Sequence, residues 1–167
     1  KEGQTRPLVA KEEKIVITGK TPADFVSGGI TPMQSASLLL ILVAGISIYG
    51  IRRGKTLWGI DLILFLIAGM AGCILAFLAL FSQHPAVSPN YILFVFHPFH
   101  LFCLPFMLSR VRKREISRYM LVNFAVLTLF IGLWTIIPQR IPPAVLPLAL
   151  CLLIRSASNL ILTYKRR

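Results

Sequence analysis

The sequence predicts an all-α, polytopic membrane protein: a bundle of five transmembrane helices with the amino end outside and the carboxyl end cytoplasmic. Two observations carry that prediction. Hydrophobic residues make up 56% of the 167 residues, and the mean hydropathy is +0.75, well above the balance of a soluble domain. The apolar residues also gather into long runs, and positive charge flanks those runs on alternate connections.

A hydrocarbon core ~30 Å thick needs ~20 mostly apolar residues in a helix that rises ~1.5 Å per residue. Spans are expected at about 33–51, 57–81, 91–109, 118–137 and 143–164. The first opens near Thr31–Pro32, where a proline suits a helix entrance. None of the runs has the polar face, recurring every ~3.6 residues, that a soluble amphipathic helix would need. Arg52, Arg53 and Lys55 lie between the first two spans. Arg110, Arg112, Lys113, Arg114 and Arg118 lie between the third and fourth, and Lys165, Arg166 and Arg167 follow the fifth. The loop SQHPAVSPN has no Lys or Arg, and the last loop has only Arg140. By the positive-inside rule the cationic side is cytoplasmic.

Residues 1–30 are polar and read as an extracytoplasmic linker with one short extended piece, Lys14–Thr18; residues 31–167 are the transmembrane domain. An external amino end, a linker and an opening at Lys instead of Met lead to the expectation of an exported domain upstream. The net charge of +12 is a basic inner face touching anionic head groups, so nucleic acid is excluded as a partner. Cys73, Cys103 and Cys151 all fall inside spans, where burial disfavours the thiolate; they read as structural thiols with no zinc spacing.

Ionised groups inside a span are costly and find partners in the bundle. Asp61 lies one turn inside the cytoplasmic end of span two. Arg155 lies in the inner half of span five, with Asn159 a turn below on the same face. An Asp61–Arg155 pair is within reach if spans two and five touch; snorkelling of Arg155 to the inner head groups is the alternative. Ala68, Gly72 and Ala76, four apart, allow a close helix approach and point to span two as the central helix.

His84 follows Ser82 at the outer end of span two, and Asn90 opens span three. These three are candidates for head-group binding or domain docking on the outer rim. His97 and His100 share one face of span three, which Pro98 and Pro105 should kink. Three readings stand open: structural hydrogen bonds to carbonyls freed at the kink, a groove for lipid or substrate, and a metal or haem site. With no nearby carboxylate the last is weakest, and no metal or cofactor is expected.

The run Asp61-Leu62-Ile63-Leu64-Phe65-Leu66-Ile67-Ala68-Gly69-Met70-Ala71-Gly72, followed by Ser82-Gln83-His84-Pro85 and Asn90, resembles the C-terminal membrane domain of the Lnb family, lipoprotein N-acyltransferases of Bacteroides-type bacteria. The likeness covers about residues 30–165 and departs after Asn90, where Tyr91-Ile92 stands in place of a second Asn. The resemblance implies a bacterial inner-membrane protein with a periplasmic amino end. It further implies an upstream periplasmic domain whose Cys and His transfer an acyl chain from membrane phospholipid to a lipoprotein. On that reading the chain holds no catalytic residue itself and serves as anchor and positioning domain. The rival is a non-enzymatic anchor or accessory subunit of a cell-envelope complex. A transporter using Asp61, Arg155, His97 and His100 ranks last, because the spans show no internal repeat.

Overall fold

In a computed structural model, which describes residues 29–81 and 90–165, every regular element among the described residues is helical. Of the linker expected over residues 1–30, all but the last two residues, and with them the extended piece Lys14–Thr18, lie outside the described residues. Within the unit Thr31–Arg167, α1 spans Pro32–Arg53 and starts at a reciprocal cap. The Gln34 N–H donates to Thr31 Oγ1 at 3.2 Å, and the Thr31 N–H donates to Gln34 Oε1 at 2.9 Å. Two of the orphan donors at the helix start are satisfied this way, and Pro32 gives up an N–H that needed no partner. Gly54, at φ 62°, closes α1 in the left-handed region that glycine adopts at least cost.

Helix α2 spans Trp58–Phe81, and a short 3₁₀ turn covers Tyr91–Phe94. The next three helices are α3 (Phe99–Phe102), α4 (Leu104–Lys113) and α5 (Arg118–Gly132); α6 closes the order at Val145–Tyr164. By length and composition α1, α2 and α6 can each cross a membrane. The expected third span is not one continuous helix. Tyr91–Phe102 and α4 are bent by 78° from one another, and counting that bent pair as one span raises the number to four. Proline explains the breaks: Pro98 and Pro105 have no N–H to give to the preceding turn. Pro105 falls in the first turn of α4, where the missing donor costs nothing.

The expected fourth span, about 118–137, is also different. Helix α5 stops after 15 residues, and turns carry the chain onward. Hydrogen bonds from Ile136 and Ile137 to the Leu133 carbonyl, at 2.9 and 3.1 Å, hold those turns together. Pro138 then disfavours helical geometry in the residue before it.

Burial corrects the choice of central helix. In α6, 56% of the apolar window is buried, against 22% in α1 and in α2. Helix α6 packs along α1 on one side and α5 on the other. The α1 seam is Ala36, Val43, Ser47 and Gly50, and the α5 seam is Met120, Asn123, Leu127 and Phe130. Steps of three, four and seven keep each set on one stripe.

The small-residue face of α2 receives the broken third segment instead. A Cβ on Gly72 would lie 2.6–2.8 Å from the backbone of His97, and one on Gly69 would lie 2.7 Å from the Leu101 nitrogen. Backbone touches backbone there, as small residues permit in lipid. At one end, Arg114 donates to the Gly54 carbonyl, and Arg112 stacks over the Trp58 ring at 4.8 Å. At the other, the Tyr91 N–H donates to Gln139 Oε1 at 2.7 Å.

Gly72→Ala should therefore lower the melting temperature of the detergent-solubilised protein, by an overpacking cost of about 1–3 kcal/mol. Gly45→Ala, where an added Cβ meets nothing within 4 Å, should melt like the parent or higher. Equal melting of the two variants would contradict the close contact.

Candidate functional site

Two polar constellations lie inside the bundle. The first joins α1, α2 and α6. Arg155 Nε donates to Asp61 Oδ1 at 2.7 Å and NH2 donates to Asp61 Oδ2 at 3.0 Å, a parallel two-bond contact. NH1 donates to Ser47 Oγ at 3.0 Å, and Asn159 Nδ2 donates to Asp61 Oδ2, also at 3.0 Å. Arg155 is 1% exposed and Asp61 is fully buried, so the guanidinium does not snorkel to the head groups. Local geometry delivers each group. Arg155 and Asn159, four apart, sit on one face of α6, while Asp61 lies in the first turn of α2 and Ser47 on the α1 seam.

In a low-dielectric interior a lone charge costs far more than a paired one, and three donors on one carboxylate offset that cost. Along α6, Asn123 Nδ2 on α5 donates to Ser156 Oγ at 2.9 Å, and Ser156 Oγ–H donates to the Leu152 carbonyl at 2.9 Å. Neither Ser47, Asn123 nor Ser156 is among the residues expected from sequence. Their one signal was a polar side chain inside an apolar run.

The second constellation sits at the break. His100 Nε2 lies 2.8 Å from the Val95 carbonyl, and His100 Nδ1 lies 2.5 Å from the Tyr119 hydroxyl. A carbonyl can only accept, so Nε2 carries the proton and Nδ1 accepts from Tyr119. The imidazole thus satisfies a backbone oxygen at the interrupted helix. Both His100 nitrogens are committed, which leaves neither open to a metal or substrate. The His97 ring stacks on His100, with centroids 3.9 Å apart. Phe65 of α2 packs its edge toward the His100 ring at 5.2 Å. Tyr119 is the residue that sequence reasoning missed. It opens a span as an ordinary interfacial aromatic would, and only the bend brings His100 to it.

A groove of about 600 Å³ runs between this segment and α5. Its walls are mainly Leu93, Phe94, Phe99, Val122 and Val126, with His97, Tyr119 and Asn123 behind them and Arg118 and Cys103 at one end. Of the expected rim, Asn90 caps the 3₁₀ turn by accepting from the Ile92 N–H at 3.2 Å. Ser82 and His84 lie outside the described residues. The structure brings Asp61 to Arg155 and His97 to His100, and keeps these two groups on different helix contacts.

Arg155→Leu, which strands a buried carboxylate, should cost about 3–5 kcal/mol of stability. The double variant Asp61→Leu with Arg155→Leu should recover much of that loss, because it removes both charges. Melting in detergent checks both; a double variant no more stable than the single one would mean the pair is not what Arg155 contributes.

Among curated proteins and among solved structures, no match to the chain is found. The family model described as the Lnb transmembrane domain matches residues 24–167, and with so much of its length covered the chain belongs to that family.

Proposed function

We propose that residues 31–167 are the anchoring and substrate-positioning domain of a lipoprotein N-acyltransferase-like enzyme whose chemistry is carried outside this chain. Membership of the Lnb transmembrane family over residues 24–167 is the observation that carries the reading. On this reading a periplasmic cysteine thiolate attacks an ester of membrane phospholipid. A thioester forms and a lysophospholipid leaves. The amino terminus of a lipoprotein then attacks the thioester, forming an amide and regenerating the thiol. Donor and acceptor both enter from the bilayer, so a domain that fixes the height and direction of that thiol supplies catalysis by positioning.

The fold suits such a role. Helix α1 begins at a tight cap, packs along α6, and is pinned by the Ser47–Arg155–Asp61 contact. It offers a stiff mount for a domain on its amino side. Five crossings with that side periplasmic, in a bacterial inner membrane, are part of the proposal. The Arg114–Gly54 and Tyr91–Gln139 contacts support it, since each ties together two connections that five crossings would leave on one side. Asn90 lies on the Gln139 side, where Ser82 and His84 of the neighbouring loop would join it in meeting head groups or the catalytic domain.

Two experiments test this. A membrane-impermeant maleimide should label Gln139→Cys in intact cells stripped of their outer membrane and should leave Lys55→Cys unlabelled until the cells are opened; the reverse pattern overturns the orientation. In the full-length protein, exchange of residues 31–167 for an unrelated five-span anchor should lower lipoprotein N-acylation at least about tenfold, the scale of a lost positioning effect. Unchanged acylation would reduce the domain to a passive anchor.

A further inference from the structure

Arg118 stands where two cavities meet. The groove beside α5, about 600 Å³, is apolar along its exposed walls. A cleft of about 1070 Å³ at the α4–α5 turn is lined by Arg110, Lys113, Glu115 and Arg118, and Cys103, Arg118 and Tyr119 border both cavities. The acidic member, Glu115, is neutralised by Arg110 at 2.6 Å. Arg112 lies over Trp58, and Arg114 donates to Gly54. Arg118 is exposed, and its guanidinium has no hydrogen bond or ion pair among the described residues. From Arg118 to Val126 the groove follows α5 for about 12 Å. An amphipathic slot of this size falls within the range of small-ligand sites.

We propose that the slot binds an anionic glycerophospholipid of the leaflet facing the α4–α5 turn, with its phosphodiester at Arg118 and one acyl chain along Val122 and Val126. Charge complementarity selects the occupant. A neutral chain would fill the groove but leave Arg118 unanswered, and a free phosphate would answer Arg118 but leave the groove empty. A guanidinium offers a planar pair of donors to phosphate oxygens, and each basic group near a membrane surface attracts anionic lipid. Behind the wall the His100 nitrogens meet Val95 and Tyr119 and the Asn123 amide nitrogen meets Ser156, while His97 Nδ1 and Asn123 Oδ1 are buried and accept no hydrogen bond from the described residues. This site is independent of acyl transfer. Under the proposed orientation it lies on the cytoplasmic side, remote from a periplasmic thiol, and acts on the frame by filling the gap left by the broken segment.

Native mass spectrometry of the chain in a nonionic detergent, offered equal phosphatidylglycerol and phosphatidylcholine with identical acyl chains, tests the assignment. Phosphatidylglycerol should be retained in preference. Arg118→Gln should weaken its retention about fivefold, and Val122→Trp, at a side chain 59% exposed, should block the groove and lower retention of both lipids. Ile67→Trp, on the lipid-facing side of α2 and 61% exposed, should bind like the parent. Glycerol 1-phosphate at the same concentration should not displace the lipid. Equal retention of the two lipids, unchanged binding by Arg118→Gln, displacement by glycerol phosphate, or a dimer mass in place of the lipid adduct would each overturn the proposal. If Val122→Trp melts early, Arg118→Gln decides alone, since its side chain is exposed and makes no hydrogen bond or ion pair among the described residues.

Discussion

The two-bond contact between Arg155 and Asp61 is the constraint on which the rest of this bundle depends. Lipid offers helices no hydrophobic reason to associate, so packing and polar contacts must choose the partners. An arginine on α6 and an aspartate on α2 each prohibit any arrangement that leaves them facing hydrocarbon. Their union, with Ser47 and Asn159 completing the set, brings α1, α2 and α6 to one point. The energetic worth of such a pair against two apolar residues is small or negative. Its value lies in specificity, because the wrong pairing strands a charge.

Around that fixed point the remaining elements are adjusted by backbone chemistry. Proline prevents the third segment from continuing as a helix, and the break must be compensated where no water reaches. Glycines on α2 let the broken backbone come within contact of a neighbouring helix, and His100 supplies the donor that the Val95 carbonyl would otherwise lack. Tyr119 then holds the imidazole in the required tautomer. Of the two histidines on this face, His100 is engaged with the backbone and Tyr119, and His97 lines the groove beside α5. His100 repairs the backbone, and the bend it stabilises leaves the groove beside α5.

The arrangement divides labour between a rigid half and an open half. Helices α1 and α6 are joined to α2 by the buried charge cluster. The broken segment and α5 leave a groove that the charge cluster does not line. Under the function proposed above, such a division suits a domain that holds an external reaction centre while remaining in contact with lipid.

Much of this was legible in the chain itself. Apolar run length determined the helical class, the membrane setting and the bounds of α1, α2 and α6, because hydrocarbon thickness and helix rise leave little freedom. The rarity of ionised residues in spans singled out Asp61 and Arg155, for the same solvation reason. Other features were decided only in three dimensions. The centre of the bundle is α6 and not α2, since small residues mark a close approach without saying which neighbour makes it. A kink from Pro98 and Pro105 was foreseeable, but the 78° bend at Cys103, between Phe102 and Leu104, and the meeting of His100 with Tyr119 are set by the packing of this segment on Gly69 and Gly72. Local sequence states what each residue must avoid; only the assembled helices decide which partner lets it do so.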